Sequence, residues 1–140
     1  MKTIIVPGRY ENLVKLSEFV RQSAQEAGLE SFDIYSVETA VDEACANIIE
    51  HAYGGEGQGE IECCCEVEET GLIVRLKDHG KPFNPETVRD PNTRAPLKKR
   101  QSHGLGLFIM RKWMDDVHFE FNPETGNVLT MVKHKDKKAE

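Results

Sequence analysis

The chain has 140 residues, 39% of them apolar and 30% charged, the size and composition of one folded domain rather than a two-domain enzyme, a disordered chain or a fibre. Eighteen Lys and Arg stand against 24 Asp and Glu, and the net charge of −6 lacks the basic footprint that non-specific nucleic-acid binding requires. Basic or neutral proteins are the expected partners.

In chain order, residues 2–6 read as a short strand closed by the turn Pro7-Gly8. Its three branched apolar residues, Ile4, Ile5 and Val6, fall far short of a signal peptide or of a membrane span, so a cytoplasmic protein is expected. Over residues 11–27, Leu13, Leu16, Val20, Ala24 and Ala27 recur at helical spacing, with Gly28 as the stop. A second helix is predicted from Ser31 as N-cap, with Asp33 in its first turn and an apolar stripe of Val37, Val41, Ala44, Ile48 and Ala52. It ends at Gly54-Gly55. Residues 59–67 then alternate, Ile61, Cys63, Cys65 and Val67 on one side and Glu60, Glu62, Cys64 and Glu66 on the other.

Consecutive cysteines at 63–65 suit neither a disulfide framework nor a zinc knuckle, and free Cys packs as a small hydrophobe, so a reducing compartment is expected. After Thr70-Gly71, Leu72, Val74 and Leu76 line one face of the next strand, and Asp78 falls in phase with them. Residues 84–103 carry three prolines and no period, which predicts a long functional loop. A third helix follows Gly104-Leu105-Gly106, then an alternating strand with Val117, Phe119 and Phe121, turn residues from Asn122 to Asn127, and a returning strand over 128–133. The tail at 135–140 is polar. The pattern predicts a single α+β domain over residues 1–140: a two-layer sandwich with about three helices on one face of a mixed, largely antiparallel sheet.

Three features bear on chemistry. Glu43 and Asn47 lie four apart on one helix face. A neutral oxygen beside a carboxylate suits a Mg²⁺ ion held partly by phosphates, or a general base, yet taken alone the pair reads as two solvent-facing polar residues. Asp78 at the apolar end of its strand would be a buried acceptor needing a donor such as an exocyclic amine, with Gly80 allowing close backbone approach. The same residues read equally well as a turn opened by Asp78. Gly104 and Gly106 before a helix favour an anion, but they match neither the P-loop nor the dinucleotide-binding turn.

Taken in order, Glu43-Ala-Cys-Ala-Asn47-Ile-Ile-Glu-His51-Ala-Tyr53, then Asp78-His-Gly80-Lys-Pro82-Phe83, then Gly104-Leu-Gly106-Leu resemble the three boxes of the GHKL ATPase superfamily. Within it the similarity is to the anti-sigma factor serine-protein kinases of the RsbW and SpoIIAB type. That resemblance implies the Bergerat-type fold and ATP with Mg²⁺ as cofactors. It makes Glu43 the catalytic base and Asn47 the Mg²⁺ ligand, and it has Asp78 receive the adenine amine. Nucleotide binding extends, by the same resemblance, to Gly80, Phe83, His103, Gly104, Leu105, Gly106 and Leu107, with residues 84–103 as the ATP lid. Pro82 and His103 depart from the superfamily pattern at positions where many members carry glycine. The implied activity is phosphorylation of a serine or threonine on a STAS-domain anti-anti-sigma factor, with sequestration of a sigma factor, by a homodimer that touches neither nucleic acid nor membrane. The alternative is a protein-binding regulator switched by nucleotide with little phosphotransfer.

Overall fold

The computed structural model describes residues 1–82 and 102–135. Strand β1 (Lys2–Pro7) leads through a short turn at Tyr10–Asn12 into helix α1 (Leu13–Glu26), helix α2 (Ser31–Asn47) and a widened helical turn at Ile48–Ala52. Strands β2 (Glu60–Glu68) and β3 (Gly71–Asp78) follow, then helix α3 (Ser102–Trp113) and the hairpin β4 (Asp116–Asn122) and β5 (Gly126–His134). The strands form one sheet in the order β1-β2-β3-β5-β4, antiparallel at every pairing, so the mixed component expected from sequence is not found among the described residues. Gly126 takes a φ of +90° that L side chains rarely adopt, which permits the tight antiparallel return from β4 to β5, and β5 lies between β3 and β4.

Register and alternation then place the core. Ile4, Cys63, Leu76, Leu129 and Phe119 form one row across all five strands, and Cys65, Val74, Met131 and Val117 form the next. These rows meet Leu16, Val20 and Ala24 of α1, Val37, Val41 and Ala44 of α2, and Leu107 and Met110 of α3. All three helices share that face, as the period predicts. On the other face Lys77 pairs with Glu62 at 3.4 Å and Arg75 with Glu66 at 3.2 Å. All four cysteines are free and buried, and burial pushes the Cys45 thiol up, so it packs as a neutral group.

Two local features differ from the sequence expectation. Glu30, not Ser31, occupies the N-cap position of α2, and Ser31 lies in the first turn. Beyond Asn47 the helix widens: Tyr53 N donates to Ile48 O at 2.9 Å, a five-residue spacing, in place of a regular turn. The apolar stripe therefore slips, so that Ile48 and Ile49 are both buried while Ala52 is only half-buried.

Asp33, in the first turn of α2, is 5% exposed and lies 3.7 Å from Lys133 Nζ, which also donates to Trp113 O at the end of α3 at 2.8 Å. Its Oδ2 has no partner among the described residues. One lysine thus neutralises a buried acid and caps a helix carbonyl. Lys133→Met should lower stability by about 3–5 kcal/mol in a urea unfolding titration, because it strands the Asp33 charge, and adding Asp33→Leu should recover much of that loss.

Candidate functional site

A cleft opens where α2, the widened turn, the end of β3, α3 and the β4–β5 hairpin meet. Ala44, Ile48, Met110, Phe119 and Leu129 supply apolar lining, and Asn47, His51, Asp78, Lys81, Glu120 and Asn127 supply polar groups.

Asp78 is the last residue of β3, buried at 5% exposure and in phase with the core, as the strand reading expects, and it also opens the turn that follows. Its Oδ1 accepts hydrogen bonds from Gly80 N at 2.9 Å and Asn127 Nδ2 at 2.8 Å. Burial pushes its carboxyl above the usual range, and those two bonds and the neighbouring His79 pull it partly back. Gly80 packs on the end of the widened turn, where Lys81 N donates to Ala52 O at 2.8 Å. Tyr53 closes the other side: its hydroxyl donates to Glu60 O at 2.6 Å and accepts from His79 N at 3.0 Å.

Asn47 lines the cleft as expected. Glu43 lies one turn earlier on α2, half-buried and outside the immediate lining, and burial followed by the charge of Glu50 pushes its carboxyl up. Glu50 in turn accepts from the Tyr10 hydroxyl at 2.8 Å. Leu107 is buried in the core on α3 rather than lining the cleft. The third helix begins at Ser102, two residues before the glycine pair, so His103, Gly104, Leu105 and Gly106 fall within its first turns instead of preceding it. Phe83 and residues 84–101 of the expected lid lie outside the described residues.

Among the described residues no group of three or more His, Cys, Asp or Glu is placed to hold a metal ion. Asn47 places a neutral side-chain amide in the lining.

Sequence reasoning missed Asn127, His51 and Lys81. Asn127 had a readable signal: it is in phase with the buried Leu129 and Met131, as Asp78 is with Leu76 and Val74, but the turn chemistry around it masked that period.

The sequence profile of the histidine kinase-like ATPase domain matches residues 6–133. The chain is 31% identical over 108 residues to an anti-sigma F factor of Bacillus licheniformis, covering 75% of this chain and 72% of that protein. It is also 31% identical over 134 residues to a serine-protein kinase RsbW of Listeria innocua, covering 91% of this chain and 84% of that protein. The solved catalytic domain of the histidine kinase ThkA superposes with a TM-score of 0.58 at 19% identity, over 96% of this chain and 97% of that domain, a likeness of fold. The chain belongs to the histidine kinase-like ATPase domain family, in the branch of the anti-sigma factor serine-protein kinases. Membership in an ATPase domain family implies nucleotide binding.

A Cβ on Gly80 would overlap the Ala52 carbonyl and stand 2.7 Å from the Ala52 side chain, where backbone cannot give way. Gly80→Ala should push the segment after β3 off the end of the widened turn, lowering Tm by roughly 4 °C for each kcal/mol of strain and weakening nucleotide about tenfold, as calorimetry and a thermal melt would read.

Proposed function

We propose that this chain is an ATP-dependent serine/threonine-protein kinase acting as an anti-sigma regulatory factor, which phosphorylates a STAS-domain anti-anti-sigma protein and sequesters a sigma factor when that protein is unavailable. The names of its relatives support the anti-sigma role and the kinase class. The observation that carries the chemistry is a buried Asp78 and an Asn47 lining one cleft, with the raised carboxyl of Glu43 one helical turn away. Resemblance also supports a cytoplasmic homodimer, and no helix among the described residues is long and apolar enough to cross a membrane.

In this reading Asp78 accepts the adenine amine, with the base against Ile48, Met110 and Leu129. Gly80 shapes the floor. The start of α3, from His103 to Gly106, bears on the phosphates by the same resemblance. Asn47 holds Mg²⁺, which when bound neutralises phosphate charge. The substrate hydroxyl oxygen bonds to the γ-phosphorus as the bond to the β–γ bridging oxygen breaks, ADP leaves, and the hydroxyl proton passes to a Glu43 oxygen. Positioning and electrostatics supply most of the rate in such transfers, and a carboxylate with a raised pKa is a better base than an ordinary one.

Incubation with labelled ATP and candidate STAS proteins should place label on serine or threonine of the partner. Glu43→Gln should cut that transfer by about a hundredfold or more while ATP affinity stays within about threefold of wild type. Label on a histidine of this chain, or transfer undiminished in Glu43→Gln, would sink the assignment. A pH series is a separate check on Asp78. The amine needs an ionised acceptor, and burial raises this carboxyl, so adenine-nucleotide affinity should fall as pH drops through a value above the ordinary aspartate range.

A further inference from the structure

Register places Asn127 of β5 directly across from Asp78 of β3, so their side chains share the helix-facing side of the sheet. Asn127 Nδ2 donates to Asp78 Oδ1 at 2.8 Å, to Lys81 O at 3.0 Å and to Gly80 O at 3.3 Å. All three neighbours are acceptors, so the amide nitrogen must face them and the amide oxygen must turn away. Gly80 N donates to the same Asp78 oxygen at 2.9 Å. Both donors therefore converge on Oδ1, and among the described residues none reaches Oδ2.

A terminal carboxylate torsion is broad by itself, and two donors on one oxygen fix its plane. The same amide ties down the carbonyls of Gly80 and Lys81, two and three residues after Asp78, while Lys81 N is bonded to Ala52 O. Carboxylate and cleft floor are thereby held as one unit. Asp78 and Asn127 both line the cleft.

We propose that Asn127 is the positioning residue that sets which base the cleft accepts: by locking the Asp78 carboxylate to the floor at 80–81, it aims Oδ2 at the amine of a 6-aminopurine and turns away a 6-oxopurine. This rests on the nucleotide reading of the cleft given above. The discrimination is one of donor against acceptor. An amine donates to Oδ2, whereas an oxo group presents lone pairs to a carboxylate that cannot rotate away and has no proton to offer. Without Asn127 the carboxyl loses both its anchor and a bond that favours its charged form. As a neutral acid it has an O–H to donate, and an oxo group becomes acceptable. The titratable and charged groups around it are His79 beside it on the chain, Tyr53 at the end of the widened turn, and His51, Lys81 and Glu120 in the same cleft lining.

The test is calorimetric titration of the full chain with Mg-ADP and with Mg-IDP over the acid to neutral range, for wild type, Asn127→Ala and Asn127→Ser. Asn127→Ala should weaken ADP about tenfold, narrow the ADP-over-IDP preference about tenfold, and move the acid limb of ADP binding to higher pH. Asn127→Ser keeps a short donor and should recover part of the preference; it also supplies the measurement if the alanine variant does not fold. Folded variants with the wild-type preference and the wild-type acid limb would overturn the proposal, as would equal weakening of ADP and IDP. If wild type binds neither nucleotide, the reading of the cleft itself fails, and the two failures are distinguished by that one control.

Discussion

A carboxylate at the apolar end of a central strand has to find donors, and the site is organised around how Asp78 finds them. Its donors come from the residue two further on and from the neighbouring strand. The second of these exists only because β5 returns between β3 and β4 rather than outside them. Sheet order, hairpin geometry at Gly126 and the chemistry of one buried acid are therefore not independent features. Moving β5 by one residue would put Asn127 on the opposite face and leave Asp78 with one donor and a raised pKa.

The widened turn after Asn47 is the second element on which the cleft depends. A regular helix would have continued the stripe through Ala52 and bound its carbonyl-bearing turn into the helical ladder. Extending the spacing to five residues aims Ala52 O at Lys81 N and carries Tyr53 to the backbone of both Glu60 and His79. Wide turns of this kind recur at functional sites, and here its use is concrete: it joins the helix bearing Asn47 to the segment that follows Asp78.

Much of the scaffold was legible in the sequence because it rests on local periods. The stripes of α1 and α2, the alternation in β3 and over Ile61, Cys63 and Cys65 of β2, and the phase of Asp78 all reflect which side of an element meets the core, which residue spacing encodes directly, although Cys64 is buried and Val67 exposed against the expected phase. What was not legible depended on partners distant in sequence. Asn127 looks like turn chemistry until β5 is known to lie beside β3. Lys81 looks like one more surface lysine until its backbone meets Ala52. Ser31 looks like an N-cap, and a shift of one residue at a helix end is beyond what composition resolves. The wide turn was hidden for a different reason, since the sequence continues to favour helix there and only packing reveals the slipped phase. Glu43 and Asn47 were the reverse case: as a pair they read as surface, and only the three ordered boxes gave them a role; Asn47 lines the cleft and Glu43 lies outside its lining.

Lys133 reaches the last carbonyl of α3 and the first turn of α2 with the same ammonium group, at the end of α3 remote from its glycines. One ammonium group thus joins two helices by charge at the same end where Met114 packs them by apolar contact, while Leu107 and Met110 seat the rest of α3 in the core. A single lysine on a strand therefore fixes where two helices end and begin relative to each other.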